Sequence, residues 1–317
     1  MAQRRPSQTP VLIVYVITML ISMFIFGSVA VVLLDVFVTQ PKLARQATAD
    51  SPGIVVDDGP TEKDYSLARE TILFIGADGD TLNGMALLRV LPDILSVRVV
   101  PISPMIYTSV GGTEGTLISL LDIGGINYLV SGVENAFGVE CDKYIKIDND
   151  GWKSLVEYLG GTSSYIFPQD IYYKNEATGE ITSFSQGQTT RTLWGDDIRR
   201  IMTYPLYDNG NETRAQVVGE LSTALINSAC STNSGAIVSN MQSIFNAIYN
   251  NSDTDITSRS FSDVREAYAF LVQNSKSPAS YRMPGGVWNE RGYFTVNESF
   301  KTEILEYFEI EEESAEQ

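Results

Sequence analysis

The chain has 317 residues, with 22 basic and 39 acidic side chains and a formal net charge of −17. That length allows one large domain with a membrane segment, or two small domains, and the acidic balance argues against nucleic acid and anionic membrane surfaces as general partners. There is no histidine, which excludes Ser-His-Asp and Cys-His mechanisms and removes the commonest metal ligand.

Residues 1–10 form a short tail carrying Arg4 and Arg5. Residues 11–38 are almost wholly apolar, with Asp35 the single charge. About 20 such residues span a bilayer, so this stretch predicts a transmembrane helix; a cleaved signal peptide is the alternative, though its apolar core would be shorter. The basic tail favours an N-terminus inside and the remainder outside the cell. Residues 39–68 carry Pro, Gly, Ala and Asp without periodicity and read as a linker.

The organising stretch is residues 70–107, which reads as three strands at 71–75, 85–90 and 96–102. Little polar alternation marks strands covered on both faces, as in the central sheet of an α/β domain. Then follow a glycine turn at 111–115, helices at 116–121 and 126–137 closed by Gly138, a strand at 143–148, and a helix at 151–159 stopped by Gly160 and Gly161. A hairpin is expected within 163–192, with its turn at 175–179. Helices are expected at 195–202, 213–228, 235–250, 262–273 (Ser262 as N-cap) and 298–308 (Asn297 as N-cap). Short strands are expected at 281–283 and 293–296. The tail 309–317 is acidic and reads as disordered. Cys141 and Cys230 either pair, closing a loop of about 90 residues, or remain two buried thiols.

On these residues the chain resembles the LytR-CpsA-Psr family, also called the cell-envelope-related transcriptional attenuator domain. The resemblance covers roughly residues 71–308. It rests on the opening strand running into Gly76 and Asp78, on the strand at 85–90, on the helix-then-strand segment 124–161, and on Met283-Pro284-Gly285 leading to Phe308. It implies an α-β-α sandwich with a mixed central sheet, as the extracytoplasmic domain 69–308 of a single-span membrane protein. It also implies transfer of an anionic glycopolymer from a polyprenyl-pyrophosphate carrier to peptidoglycan. In that chemistry arginines grip the phosphates, carboxylates hold Mg²⁺, and an apolar pocket takes the lipid.

The chain departs from the family pattern where that chemistry belongs. The family's Ser-Ile-Pro-Arg-Asp is Pro101-Ile102-Ser103-Pro104-Met105, its Asp-Thr is Asn83-Gly84, and its arginine pair falls near Met202 to Pro205, where neither arginine is present. Of its Gly-Arg-x-x-Arg-x-Gln, Gly210, Arg214 and Gln216 remain, and the first arginine is Asn211.

The phosphate-binding candidates are therefore Arg89, Arg214, Gln216 and Arg199, with Arg200 beside the last. Each has a structural alternative, an ion pair or a solvated helix face. Asp78 is the metal candidate, or else a turn cap, and Asp208 and Glu212 are weaker cation candidates. Leu129 and Val133 on one helix, and Val217 and Leu221 on another, are lipid-pocket candidates, or else core. The expected function is a membrane-anchored envelope protein that binds a polyprenyl-linked glycopolymer or an envelope partner, with weak or lost transferase activity. The alternative is an active Mg²⁺-dependent phosphotransferase.

Overall fold

The structure, a computed structural model, describes residues 63–79, 81–174, 179–189 and 191–311. The expected cytoplasmic tail and membrane span, most of the linker and most of the acidic tail lie outside them. In chain order the elements are β1 (Glu70–Asp78), β2 (Thr81–Leu91), β3 (Ser96–Ile102), β4 (Tyr107–Val110), β5 (Thr113–Thr116), α1 (Leu117–Phe137), β6 (Lys143–Ile147), α2 (Asn149–Leu159), β7 (Ile166–Phe167), β8 (Ile171–Lys174), β9 (Ile181–Phe184) and β10 (Gly187–Gln188). They continue with α3 (Gly195–Met202), α4 (Asn211–Thr232), α5 (Ser234–Ser239), α6 (Met241–Asn250), β11 (Ser252–Thr254), α7 (Ser258–Asn274), β12 (Ala279–Tyr281), β13 (Gly286–Trp288), β14 (Phe294–Val296) and α8 (Glu298–Phe308).

Six strands form the central sheet in the order β11-β6-β1-β2-β3-β12. The sheet is mixed: β1–β2, β2–β3 and β6–β11 run antiparallel, while β1–β6 and β3–β12 run parallel. Both faces are covered, which explains the continuous apolar runs. Leu73, Ile75, Leu87 and Val100 point to one face and pack with α1 and α8 through Leu129, Val133, Phe137, Ile304 and Phe308. Ile72, Phe74, Ala86, Leu88 and Val99 point to the other, against α2, α6 and α7. The period of two along each strand thus feeds two separate cores. A third cluster, on α2, α3, α4 and the β7–β10 region, gathers Val156, Tyr165, Ile198, Ile201, Val217 and Leu221.

The first three strands, β6, the hairpin within 163–192 and the helices at 195–202 and 298–308 stand where the sequence places them. Gly138 and Gly160 end their helices in the left-handed conformation, at φ of 70° and 87°. The stretch read as a glycine turn at 111–115 is a second hairpin, β4–β5, with only Gly111 and Gly112 in its turn. The α1 stretch is two helical segments broken at Gly125, whose φ of 67° is not helical, in keeping with the two helices expected at 116–121 and 126–137. The helix expected at 235–250 is broken at Asn240 into α5 and α6. The helix α7 starts four residues before Ser262, because Thr257 accepts from Ser260 N and forms a capping box there. Asn297 precedes α8 but makes no side-chain cap hydrogen bond. The strand expected at 281–283 is β12 at Ala279–Tyr281, and β11 and β13 went unread. Cys141 and Cys230 are free thiols.

Candidate functional site

The site is built around an irregularity between β1 and β2. Gly76 pairs with Gly84 but Ala77 pairs with Leu82, so Asn83 has no partner across the ladder. A bulge of this kind bends the strand and re-aims a side chain. Here Asn83 Nδ2 donates to Asn149 Oδ1, 3.1 Å away at the start of α2. Gly84 admits close neighbours: a Cβ there would meet Val218 Cγ2 at 3.2 Å and Met202 Sδ at 3.5 Å. The β1–β2 ladder, α3 and α4 therefore converge at Asn83-Gly84.

Two small pockets share Asn83, Gly84 and Val218. One is also lined by Asp148, Trp152 and Arg199, the other by Ser103, Asn211 and Arg214. The structure thus brings Arg199 and Arg214 to the two sides of one bulge. Arg214 lies in the first turn of α4, where its charge opposes the helix dipole. Its Nη2 donates to the Thr203 carbonyl at 3.1 Å, while its Nε is buried with no hydrogen-bond partner. Burial lowers the Arg214 pKa, and Tyr207 partly offsets the effect. Arg199 Nε is likewise buried and unpartnered. Among the described residues neither arginine has an ion pair. Gly210, at φ 58°, leads into α4 without a side-chain cap, so the helix N-terminus adds unsatisfied amides and positive potential on the same side. Two guanidiniums without carboxylates, beside an open helix N-terminus, are suited to an anion.

The other candidates lie elsewhere. Arg89 lines neither pocket: its Nε donates to the Phe308 carbonyl at 3.2 Å, its Nη1 donates to Thr71 Oγ1 at 3.1 Å, and Asp142 stands 3.7 Å away. It ties the sheet to the end of α8, and burial lowers its pKa. Gln216 is exposed and donates to Glu220 Oε1 at 2.8 Å. Arg200 is paired with Glu180. Asp78 is exposed at the end of β1, outside both pockets, and Asp208 and Glu212 are exposed on the approach to α4.

The donor set does not fit Mg²⁺. The carboxylate in the two pockets is Asp148, and it caps α2 by accepting from Gly151 N at 2.8 Å. The family's acidic positions hold Asn83 and Met105. Among the described residues no group of three or more His, Cys, Asp or Glu is placed to hold a metal ion.

The lipid-pocket candidates are packed inside the domain. Leu129 and Val133 are fully buried in the core beneath one face of the sheet, and Val217 and Leu221 in the separate cluster around α3 and α4. An apolar cavity of about 290 Å³ lies between the sheet and α5–α7, and none of the four lines it. Ile72, Phe74, Leu88 and Ile145 line it from the sheet, and Ile237, Met241, Ile244, Phe245 and Ile248 from α5 and α6. Phe74 lines both this cavity and the Arg199 pocket. The signal for it was the recurrence of apolar residues at 237, 241, 244, 245 and 248, one helical face, though that period alone does not separate a cavity wall from core.

The domain thus combines an α-β-α architecture, an apolar cavity against one face of its sheet and, at the β1–β2 bulge, two guanidiniums without ion-pair partners among the described residues. The chain belongs to the LytR_cpsA_psr family, whose model matches residues 62–309. Among curated proteins it is similar to the polyisoprenyl-teichoic acid–peptidoglycan teichoic acid transferase TagU of Bacillus mycoides (strain KBAB4), with 26% identity over 252 residues, covering 74% of this chain and 76% of that one. Among solved structures it is similar in fold to B. subtilis TagV, with a TM-score of 0.60 and 17% identity, covering 76% of this chain and 96% of that one. It is also similar in fold to TagT bound to LI-WTA, with a TM-score of 0.56 and 15% identity, covering 79% and 93%.

Proposed function

We propose that this protein binds a polyprenyl-linked glycopolymer at the cell envelope, from a single membrane span, with weak or lost transferase activity. The observation that carries this reading is the pairing of the apolar cavity with two guanidiniums that have no carboxylate partner. The isoprenoid tail occupies the cavity between the sheet and α5–α7, and the phosphate sits at Asn83-Gly84 between Arg199 and Arg214. Charge-assisted hydrogen bonds from two arginines supply most of the headgroup affinity. The names of the relatives, transferases of teichoic acid from a polyisoprenyl carrier to peptidoglycan, support the ligand class and an acceptor in the cell wall. They also supply the alternative, an active phosphotransferase.

The family's reaction neutralises charge on the transferring phosphoryl group, and losing such a group costs on the order of 10³-fold or more in rate. With Asn83 and Met105 at the acidic positions and no metal-holding group among the described residues, binding without transfer is the reading these residues favour.

The test uses the full chain in nanodiscs, with farnesyl phosphate, farnesyl pyrophosphate and farnesol, each with and without Mg²⁺. The expected result is thermal stabilisation by the two phosphorylated lipids, little by farnesol, no Mg²⁺ dependence and no phosphate release. Mg²⁺-dependent phosphate release would establish the active alternative. Absence of stabilisation by any of the three would overturn the lipid-binding reading.

A further inference from the structure

The face of the sheet that carries the apolar cavity runs on to the Asn83 bulge. Side chains on one face of a strand recur every second residue, about 7 Å apart. The pairing of β1 with β2 and β6 sets them in rows across the sheet. Ile72 stands beside Leu88, Phe74 between Ala86 and Ile145, and Gly76 beside Gly84. The first row lines the cavity of about 290 Å³, and the last lines the Arg199 pocket of about 40 Å³. The middle row is the border. Ile145 belongs to the cavity and Ala86 to the pocket, while Phe74 is the one residue among those described that lines both.

The neighbours of Phe74 leave its ring one direction in which to yield. The ring is half-buried, and its centroid lies 6.0 Å from that of Trp152 on α2, at 59°. Trp152 is held in place, because its Nε1 donates to the Gly195 carbonyl at 3.0 Å. On the β6 side Ile145 is buried and stiff at χ1. On the β2 side Ala86 offers only a methyl group, and the pocket it lines is open space. The far end of the cavity is polar: Glu70 and Lys143 line it, and Tyr268 Oη donates to Glu70 Oε2 at 2.5 Å. An anionic head at that end would face the Glu70 carboxylate. An apolar chain in the cavity therefore reaches a head group at Asn83-Gly84 by passing Phe74.

We propose that Phe74 is the residue that selects the lipid: its ring closes the neck between the cavity and the headgroup pocket, and turns over Ala86 to admit one chain. The opening left by one phenyl ring is the width of a single chain. A phosphate carried on one isoprenoid passes, and a phosphate carried on two acyl chains does not. The inference rests on the lipid reading above and adds to it a gate and a selectivity.

The test uses the full chain in phosphatidylcholine nanodiscs, for the parent, Phe74→Ala and Phe74→Trp. Farnesyl phosphate, dioctanoyl phosphatidic acid and inorganic pyrophosphate are titrated by calorimetry, and association rates are read by stopped-flow fluorescence. The parent is expected to bind farnesyl phosphate in preference to phosphatidic acid. Phe74→Ala is expected to take up farnesyl phosphate faster, since no ring has to move, and to lose about 10-fold of that preference. Phe74→Trp overfills the neck, and its affinity for farnesyl phosphate relative to pyrophosphate is expected to fall about 10–100-fold. Phe74→Leu, a smaller cut, supplies a folded variant should alanine leave too large a cavity, with the same direction of change. If the parent does not bind farnesyl phosphate, the lipid reading falls and this inference with it. If the parent binds both lipids equally, or if the variants match it in rate, affinity and preference, the gate is overturned and the lipid reading stands.

Discussion

Arg214→Met puts the reading of the headgroup site to its sharpest test. Methionine keeps a long flexible stem and removes the guanidinium. In the free protein that group is half-buried, opposes the dipole of α4, has no ion pair among the described residues, and leaves Nε unpartnered. A buried unsatisfied donor costs about 1–3 kcal/mol, and the hydrogen bond to the Thr203 carbonyl returns about 1 kcal/mol. The expected net effect is therefore a stabilisation of about 1 kcal/mol, seen as a rise in Tm of about 2–4 °C for a unit of this size. Ligand binding should move the other way. Losing a hydrogen bond to a charged group costs about 1.5–3 kcal/mol, or about 10–150-fold in affinity for farnesyl phosphate. Differential scanning fluorimetry on the full chain in nanodiscs, with and without that lipid, reads both quantities. A fall in Tm would show that the guanidinium is a structural tie, as Arg89 is. An unchanged affinity would show that the phosphate does not reach Arg214.

Three further outcomes follow from the packing and charge of the domain. Asp93 is paired with Arg69, whose Nε donates to Asp93 Oδ1 at 2.9 Å, and these hydrogen bonds hold the Asp93 carboxyl below its usual range. A depressed carboxylate contributes stability above its unfolded pKa of about 3.9 and loses it as pH falls through the folded value. Asp93→Asn should thus cost about 1 kcal/mol at pH 7 and progressively less below about pH 4, measured by urea unfolding at both pH values; a cost that is the same at both would refute the ion-pair account. Burial pushes the Cys141 thiol up to about 12 and the Cys230 thiol up to about 11, so the native protein should resist iodoacetamide at pH 8 and take two labels once unfolded. Mass spectrometry that finds a linked pair instead would contradict the free thiols. Gly151, in the first turn of α2, has Asn251 Cβ at 2.6 Å and Ile147 Cγ1 at 2.8 Å from where a Cβ would stand. Gly151→Ala should therefore destabilise by about 1–3 kcal/mol, lowering Tm; a neutral substitution would mean that the β11 strand yields at no cost.

The parts of the fold legible in the sequence are those whose local pattern and burial agree. The runs in β1, β2 and β3 are apolar on both faces because both faces are covered, and Gly138 and Gly160 end helices because their φ values are positive. The parts that were not legible depend on partners distant in sequence. The strand β11 has only Ser252, Asp253 and Thr254, and pairs because Ile147 and its neighbours present an edge. The β4–β5 hairpin is polar and short, so its glycines dominate the local signal. At the site, Arg199 and Arg214 could be found from their places relative to the family's motifs. Arg89 could not be separated from them, because residues on one strand say nothing of which end of the sheet a long side chain reaches. The Asn83 bulge is a feature of register between two strands, and the cavity wall on α5 and α6 is a feature of how far those helices stand from the sheet.

In the proposed reading, binding and transfer make different demands on these residues. An anion held between Arg199 and Arg214 needs only positive charge and donors, which these side chains and the α4 N-terminus provide. Transfer needs in addition a group whose interaction strengthens as charge moves during the reaction. Asn83 is engaged by Asn149, and Asp148 by the α2 backbone, so these two polar groups of the pockets are committed to holding the fold. Arginines that grip the ground state and the transition state alike raise affinity and leave the rate where it was. The unpartnered Nε atoms of Arg199 and Arg214 mark groups kept at a cost to stability, which is what the proposed binding role requires of them.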